Sequence, residues 1–233
     1  SRCLELECLR EVGDGAVRDE EIRTAAEETR RLLETSGAIV EGGHYVHISG
    51  LHLSMWLNKD AILPHLKDLE RLTRFLARRV TDTEIDVVVG PAIGGLIIAE
   101  WVAHELDVMC AFAEHDPAPP PGALRGKFVL RRGYDRLVSG KRVLVVDDCV
   151  NTGLSIREVI RAVAAAGGIV VSGASIILAG ARPPEKLGLT SFHYLYDFPQ
   201  PTMWRAEDCP LCRDGVPVNT EFGHGAEFVA SHN

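Results

Sequence analysis

Apolar positions change their period along this chain, and the changes mark out its elements. Between residues 19 and 36, Ile22, Ala25, Ala26, Thr29, Leu32 and Leu33 share one helical face, and Gly37 ends the pattern. Residues 64–80 repeat that spacing through Leu66, Leu69, Leu72, Phe75, Leu76 and Val80. Between the two, short extended runs flank Gly42-Gly43, a hairpin signal. Unbroken apolar runs follow at Ile85–Val89, Val108–Ala113, Val143–Val146, Ile169–Leu178 and Phe192–Tyr196, each the length of a buried strand. Lys127–Arg131 adds a further short strand, and helical spacing returns over 96–106 and 156–166. Strands alternating with helices predict an α/β fold: a mostly parallel sheet with helices on both faces. Residues 116–126, DPAPPPGALRG, break both periods and read as an exposed loop or lid. The expected organisation is one domain over 1–233, with a hood at 37–63, a core at 80–197 and an irregular tail at 198–233.

The chemistry concentrates in Lys141 to Gly168, KRVLVVDDCVNTGLSIREVIRAVAAAGG. An apolar strand runs into two acids, Asp147 and Asp148. A small polar turn follows, Asn151-Thr152-Gly153-Leu154-Ser155, and then an amphipathic helix. A helix start offers unpaired N–H groups and the positive end of a dipole, so this turn suits a phosphate. The acids would repel phosphate and need another task, such as ribose hydroxyls or a metal. A second glycine-containing turn, Gly90-Pro91-Ala92-Ile93-Gly94-Gly95, closes the strand at Ile85–Val89. Glycines there allow a ligand to approach the backbone.

The chain has 233 residues, 46% of them hydrophobic, enough for one substantial core. A net charge of −8 argues against a broad nucleic-acid surface. An anionic ligand must therefore be held by local amides, a few basic side chains and a cation. No apolar run reaches the ~20 residues that would span a membrane, and the charged opening SRCLELECLREVGDG does not read as a signal peptide. Six scattered cysteines fit a reducing, cytoplasmic setting without structural disulfides.

The acid pair, Thr152, Gly153 and Ser155 resemble the ribose-5-phosphate loop of the type I phosphoribosyltransferases. Pro91, Ala92, Gly94 and Gly95 resemble that family's pyrophosphate loop. The likeness extends over nearly the whole chain through SGLHLSMWLNKDAILPH, DVVVGPAIGG, FVLRRGYD, GKRVLVVDD and DCPLCRDGVPVNTEFGHG, and looks closest to the orotate-type members. It implies a parallel-sheet core with a small N-terminal hood. It also implies phosphoribosyl pyrophosphate (PRPP) with Mg²⁺ as donor, a ring nitrogen of a heterocycle as acceptor, and a homodimer. Carried onto this chain, it assigns Asp147 and Asp148 to catalysis and to Mg²⁺, mainly through substrate and water. Asn151, Thr152, Gly153, Leu154 and Ser155 would hold the 5-phosphate. Ala92, Ile93, Gly94, His115, Lys127 and Arg131 would serve the pyrophosphate. Ser49, His52, Trp56 and Lys59 would lie at the acceptor under the hood.

Departures from the family pattern bear on the acceptor. Ser49-Gly50-Leu51-His52-Leu53 stands where Ser-Gly-Arg-His-Ser is common, and Glu114-His115 where Glu-Lys is common. Asn151 and Leu154 replace a usual Thr and Gly. A lost Arg or Lys removes charge-assisted bonds worth roughly 1.5–3 kcal/mol each. Three readings follow: an enzyme for an acceptor less anionic than orotate, an ordinary orotate enzyme that tolerates the changes, or a catalytically silent PRPP-binding regulator. Cys209-Pro-Leu-Cys212 has half the spacing of a zinc site, with no second CxxC in the chain. Packing or a free dithiol is the expected reading there, with a zinc site, for which His224 and His232 lie downstream, and redox work as the alternatives; hood or acceptor contacts are the expected reading of His44, His47 and His52, with a metal site as the alternative.

Overall fold

The computed structural model describes residues 20–118, 126–180 and 187–232. The opening residues read above as charged, and most of the proline-rich loop, lie outside the described residues. Helix α1 covers 20–35. Strands β1 (Ile39–Val46) and β2 (His52–Leu57) pair antiparallel in a sheet of their own. A helical turn at Lys59–Ile62 leads to α2 (Leu66–Arg79). Then come β3 (Val87–Pro91), α3 (Gly94–Leu106), β4 (Met109–His115), β5 (Phe128–Val129) and α4 (Tyr134–Val138). They are followed by β6 (Arg142–Val150), α5 (Leu154–Ala165), β7 (Ile169–Leu178) and β8 (Phe192–Asp197). The tail carries two short helices, α6 (Pro210–Arg213) and α7 (Gly225–His232).

The main sheet has the order β5-β4-β3-β6-β7-β8. Its pairings are parallel except β4 with β5. Successive residues of the central strands face opposite ways. Val88, Leu144, Val146, Ala174 and Ile176 pack toward α1, α2 and α3, where they meet Leu33, Leu72, Leu76, Ile98 and Val102. Val87, Val89, Val143 and Val145 face the other side and meet Ile156, Val159 and Val163 of α5. Each fully buried valine, leucine or isoleucine among them contributes roughly 1.5–3 kcal/mol. The strands read as unbroken apolar runs because both of their faces are covered.

This topology positions a site. The neighbouring strands β3 and β6 send their following helices to opposite faces, α3 to one and α5 to the other. A crevice opens between the carboxyl ends of two such strands. The two glycine-containing turns begin there.

Several boundaries move relative to the apolar pattern. β6 continues through Asp147 and Asp148 to Val150, because β7 pairs alongside it as far as Cys149↔Ile177 and Val150↔Leu178. The acids therefore stand within the strand, ahead of its last two residues. Gly42-Gly43 does not make the hairpin turn. The register of β1 slips between Glu41 and Tyr45, and Gly42 takes a φ of 77° there. The turn lies at His47–Gly50, closed by bonds from Gly50 N to His47 O and from His47 N to Leu51 O. The tail is not wholly irregular, since α6 and α7 form in it.

Candidate active site

The acid pair is fixed before any ligand arrives. Asp147 and Asp148 are 7% and 5% exposed. Asp147 Oδ1 accepts the Asp148 backbone N–H at 2.9 Å, and Asp148 Oδ1 accepts that of Cys149 at 2.6 Å. Asp148 Oδ2 accepts a charged hydrogen bond from Lys59 Nζ at 2.8 Å, and Lys59 also reaches Asp60 at 2.8 Å. Burial is the largest influence on the Lys59 ammonium and opposes its charge. Asp148 and Asp60 together outweigh it and hold the group above the ordinary lysine range. Burial, and then the neighbouring Asp148, push the Asp147 carboxyl well above the ordinary carboxylate range. Burial followed by the same acids pushes the Cys149 thiol up to about 12, so this cysteine is no nucleophile at neutral pH.

The first glycine-containing turn lies against these acids. A methyl at Gly94 would meet Asp148 Oδ2 at 1.9 Å, and one at Gly95 would meet Asp147 Oδ1 at 2.9 Å and the Pro91 ring at 2.5 Å. A methyl at Gly90 would meet Gly95 O at 2.0 Å. Glycine is required at all three positions for close approach, with none of them at positive φ. The Ala92–Ile93 peptide is cis, Ala92 N–H donates to Ala113 O at 2.8 Å, and the Ile93 side chain is 74% exposed.

The second turn encloses a cavity of about 110 Å³ lined by Asp147, Cys149 and residues 150–156. Gly153 caps α5 at a φ of 72°, and a side chain there would strike Leu187 at 2.4 Å. The first-turn N–H groups of α5 have no intrahelical acceptors. Leu154, which stands where the family often has Gly, is 53% exposed and is turned to solvent.

The remaining expected residues divide. Lys59 reaches the acids, as described. His115 donates from Nδ1 to Gly126 O at 2.6 Å and stacks on Phe128. Arg131 and Arg132 both turn to Glu114, at 3.7 and 3.0 Å, so Glu114 holds the cations beyond β5. Lys127 lines a separate groove with Phe128, Glu158 and Arg161. In the hood, Ser49 bonds to His47 within the turn, and Trp56 packs against Tyr45 and beneath Gly223. His52 does not face the acids. Its Nδ1 lies 2.8 Å from His44 Nε2 and 3.3 Å from Cys212 Sγ. Leu53 is 4% exposed and packed inside, so its apolar side chain replaces nothing at a ligand surface.

Two buried carboxylates, a phosphate-sized cavity at a helix start and a second glycine turn meet at one crevice. The chain matches the family described as "Phosphoribosyl transferase domain" over residues 58–193 and belongs to it; it is a phosphoribosyltransferase. Among its relatives, the orotate phosphoribosyltransferase of Pelotomaculum thermopropionicum is 35% identical over 192 residues, covering 82% of this chain and 94% of the relative. That of Thermus thermophilus is 36% identical over 188 residues, covering 80% and 96%. In fold, the chain is similar to the Mycobacterium tuberculosis orotate phosphoribosyltransferase solved with Fe(III) dicitrate, with a TM-score of 0.57 and 22% identity over 76% of this chain and 96% of that one. Among the described residues, no helix is long and apolar enough to cross a membrane.

Proposed function

We propose that this phosphoribosyltransferase transfers ribose 5-phosphate from PRPP to orotate, releasing pyrophosphate. The observation that carries the reading is the meeting of the acid pair, the 110 Å³ cavity and the glycine turn in one crevice. The relatives' names supply the acceptor. Breaking the C1–O bond of PRPP leaves positive charge on the sugar and negative charge on pyrophosphate, so the catalyst must hold both ends and stabilise both charges. In this reading, residues 151–155 hold the 5-phosphate on backbone N–H groups. Asp147 and Asp148 accept the ribose hydroxyls and sit beneath the developing cationic carbon. Backbone groups of Ala92, Ile93 and Gly94 meet the pyrophosphate. Arg131 and His115 approach it from the β5 side. Lys59, paired with Asp148 before the donor binds, exchanges part of that contact for the substrate's anionic groups.

The donor set fits Mg²⁺. Two buried carboxylates beside a phosphate cavity are hard oxygen ligands, and Lys59 neutralises one of them, so the ion would be held mostly by substrate and water. When bound, Mg²⁺ neutralises charge building on the leaving pyrophosphate. A homodimer, in which one subunit's loop covers the other's site, belongs to the same proposal.

A second reading is favoured by Leu51, which stands half-buried where the family commonly carries Arg. In it, the acceptor is a base less anionic than orotate. One assay separates the two: pyrophosphate release with PRPP, Mg²⁺ and a panel of nucleobases. Turnover of orotate above all others supports the first reading, and preferential turnover of an uncharged base supports the second. PRPP binding without release for any base would overturn both.

A further inference from the structure

We propose that His44, His52, Cys209 and Cys212 form a structural zinc site that clamps the tail onto the β1–β2 hood. One donor atom from each residue converges, all four lying within 4.8 Å of one another. A tetrahedral zinc ion with Zn–S of about 2.3 Å and Zn–N of about 2.0 Å separates its sulfur and nitrogen ligands by roughly 3.6 Å. Cys209 Sγ and Cys212 Sγ lie 3.7 and 3.8 Å from His44 Nε2, and Cys212 Sγ lies 3.3 Å from His52 Nδ1. The two imidazole nitrogens are 2.8 Å apart and would separate by about half an ångström around the ion.

Three further observations agree with a ligand set. First, His44 Nδ1 lies 2.8 Å from Val216 O. A carbonyl can only accept, so Nδ1 carries the proton and the Nε2 lone pair faces the cluster. This is the outer hydrogen bond that orients metal-binding imidazoles. Second, His44, His52 and Cys209 are 1%, 0% and 2% exposed. Three candidate ligands so shielded from water match the closed surroundings of a structural site. Third, four protein ligands leave no open position, which marks a structural site rather than a catalytic one. Two thiolates also select zinc over Mg²⁺, which separates this centre from the acid pair.

The clamp joins segments that the backbone already brings together. His52 and Trp204 exchange hydrogen bonds at 2.8 and 2.9 Å, Asn219 N–H donates to His44 O at 2.7 Å, and His224 N–H to Val46 O at 2.8 Å. β2 then leads within two residues to Lys59, the partner of Asp148. Zinc thus steadies the hood from which Lys59 reaches the acids.

The test uses the full chain, purified under reducing conditions without chelator. Elemental analysis is expected to find zinc near one equivalent per chain. After the zinc is stripped, titration with Co²⁺ should give intense visible bands of a tetrahedral ion and a near-ultraviolet thiolate charge-transfer band. Cys212→Ser should weaken that band and raise the Co²⁺ dissociation constant about tenfold or more. A Cys3→Ser/Cys8→Ser double variant should leave both bands unchanged. Should Cys212→Ser fail to fold, the cobalt spectrum of the unaltered chain decides alone. A folded, reduced chain that carries no zinc and gives only weak octahedral cobalt bands overturns the proposal. So does a Cys209–Cys212 disulfide in the freshly isolated chain.

Discussion

Gly94→Ala is the sharpest probe of how the two glycine turns and the acids depend on each other. Gly94 is not in the left-handed region, so the substitution adds a contact without straining φ. The added methyl would stand 1.9 Å from Asp148 Oδ2. Ordinary contact needs roughly 3.5 Å, so the carboxylate must retreat by about 1.5 Å. It is held on both sides, by Lys59 at Oδ2 and by the Cys149 N–H at Oδ1. Retreat therefore breaks a bond or shifts α3. Overpacking of this kind costs about 1–3 kcal/mol, or a fall in Tm of roughly 2–12 °C for a chain of this size. A displacement of an ångström in a positioned group lowers turnover by about 10²-fold. Thermal melting and pyrophosphate release measure the two effects. The Gly94→Ala/Asp148→Ala double variant decides their cause. With the carboxylate gone, the methyl has room, and most of the stability cost of Gly94→Ala should vanish. Equal costs in both backgrounds would refute the reasoning, as would an unchanged Tm in the single variant.

Two other substitutions separate stability from activity. Asp147→Asn keeps the oxygen that accepts the Asp148 N–H but removes a buried charge beside another. Because the folded-state carboxyl titrates above its unfolded value, its charge costs stability, and the cost grows as pH rises from about 4 through the folded value. The variant should be more stable than the parent by about 0.5–2 kcal/mol at neutral pH, converge with it below about pH 4, and lose roughly 10²–10³-fold in turnover; a lower melting point at pH 7 would sink this account. Gly153→Ala meets both a φ of 72° and Leu187 at 2.4 Å. It should cost about 1–3 kcal/mol and raise the KM for PRPP, while a KM unchanged beside a lowered Tm would remove this turn from phosphate binding.

What the sequence made legible follows from the range of the forces involved. Apolar periodicity is local, so the strands and helices of the core could be read from it, and a helix start after an acidic strand end could be read as an anion site. The sequence did not reveal where β6 ends, because its last residues stay in the strand only through pairing with β7. Nor did it show which way the hood faces. Leu53 and His52 look like acceptor residues when the segment is compared with its family. The strand alternates, though, and the tail supplies partners for His52 that lie 160 positions away at Cys212. The same distance hid the four-ligand cluster. CPLC, at the start of α6, by itself presents two ligands, and His44 and His52 present two more on the β1–β2 sheet. Neither half reaches zinc stoichiometry until β1, β2 and the tail are folded together. A departure in the hood therefore carries weight for the acceptor only after its side chain is located. Leu53 packs inside, so the case for a less anionic acceptor now rests on Leu51 alone.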